Sequence, residues 1–473
     1  MAGLAVMMVA AKSARADVTY IGDIFFDGTG TDMSGLGAST LEDGLSPQNG
    51  LNGFGSGLAY AGGNTFYALG DRGPNKVTYN NGTLVDNTTT YDNRYQQFQI
   101  TATPVGSLNA QGHYNSYTIS ANLTGTTLLK NSQNAQYVGI SSAFSTNPNV
   151  ENTRLDSEAI RVAPDGTTWV ADEYGPYILH FNQQGKEIGS LPLPAGFTIA
   201  NPASTATAEA ANNTTGRTTN RGMEGLAISP DGKTLVGMMQ SSLAQDGGLN
   251  GVNDRVLVYN ISDLNNVPAP KQYDYQLDSK ATPISELLAI NDHQFLVDER
   301  DGVSGSAGIK KLYEFDINQA SAPTDLTSTA FSGTTASNGM PATGTPAGVT
   351  VLQKTLFANI GSLLNNAANS PWTTNPLNLT GLPDKIEGYA WGPDLPDGRH
   401  LLLATNDNDF AQATTAWTTN PNAGKGFPDY IFAFAVDPSD VPNVQQETFT
   451  PEPTSFGVLL VGIGAASLRR RRA

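Results

Sequence analysis

One local pattern returns along this chain and restricts its fold more than any other feature. An acidic residue opens a short apolar strand, an Asp-Gly type turn follows, and a second apolar strand ends in a charged cluster. The clearest copy runs from Asp156-Ser157-Glu158-Ala159-Ile160 through Pro164-Asp165-Gly166 to Trp169-Val170-Ala171-Asp172-Glu173-Tyr174. Further copies begin at Met223-Glu224-Gly225-Leu226, at Ile284-Ser285-Glu286-Leu287 and at Lys385-Ile386-Glu387-Gly388. A weaker first copy joins Gly57-Leu58-Ala59-Tyr60 to Phe66-Tyr67-Ala68-Leu69-Gly70-Asp71-Arg72. Supersecondary units repeated in this way share one core, and the repeat decides the architecture.

Each copy supplies two strands joined by a dipeptide that tolerates the positive φ of tight hairpin turns. A third strand follows, at residues 95–98, 177–181, 255–259, 311–315 and 430–434. Three or four antiparallel strands per unit, repeated along the chain, predict an all-β fold of the β-propeller type. Two intervals between copies are about twice as long as the others, and strands near residues 114–120 are candidates for an unseen blade. The expectation is therefore about six blades within a range of five to seven. Segments 201–220 and 320–348, rich in Ala, Thr, Ser, Gly and Asn, read as exposed loop insertions. Residues 351–364 carry helical spacing and predict a helix packed outside the ring.

The 473 residues carry a formal net charge of −17 and no cysteine. An acidic surface disfavours nucleic acid as a partner and is compatible with divalent cations. Without cysteine, an oxidising compartment leaves the fold unaffected. Residues 1–16 hold a short apolar run and an Ala14-Arg15-Ala16 site, the layout of a secretory signal peptide. Residues 17–448 form the propeller domain in this reading, and 449–473 form a tail. The tail combines Pro451-Glu452-Pro453, an apolar run over 456–468 and Arg469-Arg470-Arg471-Arg472. The run is shorter than the ~18 residues of a spanning helix, which leaves a retained tail anchor as the other reading. The layout resembles the PEP-CTERM sorting signal of Gram-negative bacteria, whose tail an exosortase removes. That resemblance implies signal peptidase and exosortase as processing partners, with transient membrane association through the tail. It also implies an exported protein in the periplasm, at the cell surface or in the extracellular matrix.

Several phrases in order resemble the phytase-like domain family, also described as the esterase-like activity of phytase. They are Asp156-Ser157-Glu158-Ala159-Ile160, Ala171-Asp172-Glu173-Tyr174-Gly175-Pro176-Tyr177, Asn220-Arg221-Gly222-Met223-Glu224-Gly225-Leu226, Met239-Gln240-Ser241, Asp298-Glu299-Arg300-Asp301 and Lys385-Ile386-Glu387-Gly388. The resemblance spans roughly residues 53–436. Where the family reads Ser-Asp-Asn-Asn-Phe, this chain has Thr405-Asn406-Asp407-Asn408-Asp409-Phe410, with acid and amide ligands kept in a changed register. The resemblance implies an exported β-propeller with phosphoester hydrolase activity.

A propeller gathers equivalent residues of successive blades at one end of its channel, so Glu158, Glu224, Glu286 and Glu387 are expected to converge. Carboxylates brought together repel, and a hard cation such as Ca²⁺ resolves the repulsion by taking six to eight oxygen ligands. Asp172, Asp298 and Asp407, at the ends of second strands, are candidates to complete that shell. Arg72, Arg221 and Arg300 are candidates to grip phosphate in bidentate fashion, with Glu173 or Glu299 as general base. Each Glu also has a purely structural reading, as a staple to backbone donors of the next blade, and each Arg as the partner of an adjacent acid. Asp165, Asp231 and Asp397 read as turn residues. The four histidines share no repeat position, and a Gly-x-Ser-x-Gly elbow in helical context is missing, which disfavours zinc and serine chemistry.

Three functions compete on this sequence. One is a metal-dependent phosphoesterase acting on a small molecule. Another is a non-catalytic propeller binding an extracellular polysaccharide or protein, and the third is a calcium-dependent lactonase-like hydrolase. A rim of acids and arginines together would favour phosphate, acids alone a lactone, and aromatic rings over a shallow face a glycan.

Overall fold

The Asp-Gly turns act as expected: Gly166, Gly232 and Gly398 have φ of +80°, +70° and +83°. Beside them Asp165 and Asp231 accept main-chain N–H groups two residues on, from Thr167 and Lys233 at 3.0 Å each. Strands built on these turns make five four-stranded antiparallel sheets in a computed structural model that describes residues 16–449 except 77, 81–82, 145–151, 200, 368–369, 371–380, 411–426 and 448. Blade 1 comprises Gly57–Tyr60, Thr65–Leu69, Arg94–Val105 and Ser116–Leu128; blade 2 comprises Ser157–Val162, Thr168–Asp172, Ile178–Phe181 and Glu187–Ser190. Blade 3 is Met223–Ile228, Thr234–Met239, Asn253–Asn260 and Lys271–Gln276; blade 4 is Ile284–Ala289, Gln294–Arg300, Lys310–Asp316 and Lys354–Asn359. Blade 5 takes Ile386–Trp391, His400–Asn406 and Asp429–Val436 from one end of the chain and its outer strand, Val18–Phe26, from the other.

The propeller thus has five blades, one fewer than the midpoint of the expected range. Residues 114–120 are not a separate blade: they begin the outer strand of blade 1, which pairs along twelve residues with Arg94–Val105. The helix expected over 351–364 divides into the outer strand of blade 4 and a short helix, Ile360–Asn366, capped by the Asn359 side chain accepting from Ser362 N at 2.9 Å. Ile360 and Leu364 are buried with residues of blades 4 and 5, so the helix fills a seam between blades. The free edge of the neighbouring strand outweighs helical spacing here, because pairing satisfies a row of backbone groups at once.

Inner strands of consecutive blades touch in a closed ring, from blade 1 through blade 5 and back. Small residues permit this approach. A Cβ on Gly57 would lie 2.8 Å from the Glu158 carbonyl oxygen, and one on Gly388 would lie 2.9 Å from Leu58 N. Between each pair of blades sits a separate apolar cluster. Leu58, Phe66 and Phe98 meet Leu403 and Ile431 at the closing seam, and Trp169 and Ile178 meet Leu226 and Leu257 between blades 2 and 3. Sheets packed face to face in this way bury both faces of every blade, which is why the second strands read as unbroken apolar runs. The end of the channel near Leu58, Leu288 and Trp391 is covered by Gln445, Gln446 and Glu447. Among the described residues, the other end is open.

Candidate functional site

Four of the five inner strands carry a β-bulge at the residue pair that includes or adjoins the repeated glutamate. A bulge re-aims a side chain out of the pleat, and bulges recur beside functional sites. At the open end the inner strands contribute Glu158, Glu224 and Glu387 to one cavity of about 1170 Å³ of empty space, its mouth included. Asp71, Glu173, Gln240 and Asp407 join them from the first two residues beyond second strands that end at Leu69, Asp172, Met239 and Asn406. Arg72, Arg221, Lys280, Arg300 and Lys385 complete the charged lining among the described residues.

Carboxylates and cations are interleaved there. Arg72 Nη1 lies 2.6 Å from Asp156 and 3.7 Å from Glu173, and donates to the Asn220 side chain at 2.7 Å. Asn220 holds φ of +54°, a left-handed conformation that Asn tolerates better than most residues. Arg300 is paired with Glu387 and donates to Ser285 Oγ at 2.7 Å. Lys385 bridges Asp407 at 2.6 Å and Asp409 at 2.8 Å. Arg221 differs: it donates to the Asn220 carbonyl at 2.7 Å and, among the described residues, has no carboxylate within ion-pair distance.

Burial and crowding hold protons on these acids. Burial pushes Glu173 up to about 7, with Asp156 adding repulsion against Arg72 and Arg221. Glu387 rises to about 7 through burial, opposed by Arg300 and Lys385. Glu158 and Glu224 are raised well above the carboxylate range by burial and by other acids of the cavity, Glu224 for Glu158 and Glu173 for Glu224. Glu224 accepts from Gln240 Nε2 at 2.5 Å, while its Oε2, like Glu173 Oε1, is buried without a hydrogen bond among the described residues. Asp156, Glu158 and Glu173 bring carboxylate oxygens within 4.8 Å of one another, and Asp71, Asp407 and Asp409 do the same.

Four of the residues singled out from sequence lie elsewhere. Glu286 points into the ring and pairs with Arg161 at 2.9 Å. Asp172 is a turn cap that accepts the N–H groups of Asp156, Tyr174 and Gly175 at 2.9–3.1 Å. Asp298 is fully buried outside the lining, with neither oxygen hydrogen-bonded among the described residues. Glu299 turns away to Tyr275 Oη at 2.7 Å, Asp278 N at 2.9 Å and Lys354. The reason is the two-residue period: in blade 4 the second strand continues through Arg300, so Arg300 reaches the cavity and Glu299 takes the opposite face.

Residues 49–410 match the phytase-like family, described as the esterase-like activity of phytase. The chain belongs to that family. Over 181 residues this phytase-like protein is 32% identical to an uncharacterized secreted protein of Arthroderma benhamiae, a stretch covering 32% of the chain and 35% of that relative. The chain therefore spans about a third of the length of the curated relative it matches. Solved structures of similar outline include a gluconolactonase of Xanthomonas campestris, 11% identical, with TM-score 0.30 over 81% of this chain and 86% of that one. They also include the calcium-binding protein regucalcin of Agrobacterium tumefaciens, 10% identical, with TM-score 0.32 over 85% and 94%. The allergen Mala s 1 of Malassezia sympodialis, 11% identical, gives TM-score 0.37 over 84% and 82%. Likeness at this level carries nothing about chemistry.

Sequence reasoning passed over Asp71, Asp156, Asn220, Gln240 and Lys385 as site residues of the phytase-like domain. The signal was present: Asp71-Arg72 closes the second strand of blade 1 at the step where Asp172-Glu173 closes that of blade 2. His180, by contrast, stacks on Trp169 at 3.9 Å, away from the cavity.

Proposed function

We propose that this protein is an exported, cation-dependent phosphoester hydrolase whose centre is the open cavity of the channel. The observation that carries the reading is the mixed charge of one lining, where Glu158, Glu173 and Glu224 stand beside Arg72, Arg221 and Arg300. A lactonase-like centre calls for acids without guanidinium groups, and a glycan-binding face calls for aromatic rings. The described lining has three arginines and no aromatic ring, which favours neither.

The donor set suits a hard divalent cation such as Ca²⁺. Asp156, Glu158 and Glu173 offer oxygen ligands from three adjacent carboxylates, and the orphaned Glu173 Oε1 is one of their atoms. Neither His nor Cys is in the lining, so zinc is a poor match to the ligands on offer. When bound, such an ion polarises phosphoryl oxygens and acidifies water. The protein's own groups do the rest. Arg221, with no carboxylate partner among the described residues, takes two phosphoryl oxygens in its fork, while Arg72 and Arg300 are oriented by Asp156 and Glu387. Glu173, whose Oε1 has no hydrogen bond among the described residues, accepts the proton of the attacking water. The water oxygen bonds to phosphorus, the P–O bond to the alcohol breaks, and the departing alkoxide takes a proton from solvent at the open mouth.

Export rests on the leader-like segment 1–16 and the Pro-Glu-Pro tail, both outside the described residues apart from Ala16 and Phe449, and gains support from the secreted relative. Among the described residues, no helix is long and apolar enough to cross a membrane. The reading is tested by phosphate release from a panel of phosphomonoesters and phosphodiesters with added Ca²⁺ and with chelator. Cation-dependent turnover is expected. No turnover in either condition, with lactones cleaved instead, would sink it.

A further inference from the structure

A second cavity, of about 590 Å³ of empty space with its open mouth included, adjoins the first and shares Arg72 and Asn220 with it. It lies under the 201–220 segment, which is not wholly an exposed insertion: it turns Glu209 and Arg217 inward, leaving each no more than 3% exposed. The charged groups of this pocket are largely engaged already, with Arg72 Nε and Arg154 Nε the atoms left without a hydrogen bond among the described residues. Arg217 pairs with Glu209 at 2.7 Å and donates to the Tyr174 carbonyl at 2.8 Å. Arg154 donates to the carbonyls of Ser141 and Ala203 at 3.0 Å each, and its guanidinium lies 4.4 Å and 4.9 Å from the rings of Phe144 and Tyr174. The rest of the wall comes mainly from Thr88, Thr205, Ala206 and Thr207, short side chains that offer methyl groups and hydroxyls.

The geometry points to this pocket as the seat of the alcohol half of the ester, and to a neutral, ring-sized alcohol as the substrate class. Arg72 and Asn220 line both cavities, so a phosphoryl group held at Arg72 lies beside this pocket and the departing group has this space to enter. An alcohol bearing further phosphates is disfavoured, because Arg154 and Arg217 are already engaged and Glu209 would face the added charge. This inference rests on the phosphoester hydrolase reading, and the experiment separates the two.

Phosphate release from 1-naphthyl phosphate and from methyl phosphate is measured for the full-length protein and for Ala206→Trp, together with direct binding of 1-naphthol by fluorescence. Ala206 is exposed at the start of a five-residue helix, so the indole closes the pocket without entering the core. The expected result is a loss of about tenfold or more in kcat/KM for the naphthyl ester, with less than about twofold change for the methyl ester, and loss of naphthol binding. Equal effects on both esters, or none on either, would overturn the pocket assignment while leaving the hydrolase reading intact. If neither ester is cleaved yet naphthol binds only the unmodified protein, the hydrolase reading falls and the pocket stands as a site for neutral rings. If neither ester is cleaved and naphthol does not bind, both fall.

Discussion

Arg161 of blade 2 meets Glu286 of blade 4 across the channel, Nη2 to Oε2 at 2.9 Å, with both side chains at most 2% exposed. The same guanidinium donates to the carbonyls of Leu58 in blade 1 at 2.8 Å and of Leu287 in blade 4. Glu286 in turn accepts from Leu226 N of blade 3 at 3.2 Å. One ion pair therefore links four blades at the axis.

Removing one partner of a buried pair strands the other charge, which costs about 3–5 kcal/mol. Glu286→Ala is expected to lower the urea midpoint accordingly while leaving cation binding at the open cavity in place. An Arg161→Met, Glu286→Leu double variant should be less destabilised than the sum of the single changes. Additive losses would show that the two side chains act independently.

Glu173 is expected to set the acid limb of the pH profile. Its carboxyl sits at about 7 in the cation-free protein and is drawn lower by a bound cation, so kcat/KM should rise with pH along a limb below 7 and level off above it. Glu173→Gln should reduce kcat by about 10²–10⁴ and abolish the limb. A retained limb in the variant would assign the proton transfer to another group.

In the cation-free protein, stability should fall as pH rises. Glu173 and Glu387 have folded-state values raised from 4.5 to about 7, so between these pH values the folded chain holds protons that the unfolded chain has released. Stability is then lost as pH increases across that window. Asp278 and Asp397, lowered to about 2 by their hydrogen bonds and cationic neighbours against the effect of burial, act in the opposite sense, but below pH 4. Thermal melts in chelator from pH 5 to 8 check the direction. A Tm that climbs over this range would contradict the crowding of unpaired acids.

Ca²⁺ should reverse that loss. A site filled at 100 times its Kd adds about 2.7 kcal/mol, visible as a rise in Tm. Glu224→Gln is expected to fold normally and to weaken cation binding by calorimetry, and Glu158→Gln more strongly, because Glu158 belongs to the closest group of oxygens. Unchanged affinity in both variants, with lowered stability, would reassign these glutamates to stapling.

Arg221→Ala should raise the inhibition constant of inorganic phosphate and lower kcat/KM for every ester alike, with Arg221→Lys giving little rescue, since an ammonium lacks the planar fork. Unaltered phosphate inhibition would place the clamp on Arg72 and Arg300 instead.

Much of this molecule is legible along the chain. The Asp-Gly turns, the period-two strands and the recurring glutamate identify a propeller, because hairpin geometry and alternation are local properties. The blade count was less legible. A long third and fourth strand in blade 1 and an insertion in blade 4 fill the intervals that suggested a further blade, and insertions carry no period.

What the sequence alone determined is which residue types recur at the channel end of each blade, since a strand's own pleat fixes where its side chains point. What only the tertiary structure decided is which of them meet. Glu158, Glu224 and Glu286 share one repeat position, yet a guanidinium from two blades away draws Glu286 into the ring, while the other two remain at the open cavity. Glu299 and Glu173 share another, yet a strand that runs on to Arg300 turns Glu299 outward. Pairing partners and strand ends are set by contacts between units far apart in the chain, and no single unit encodes them.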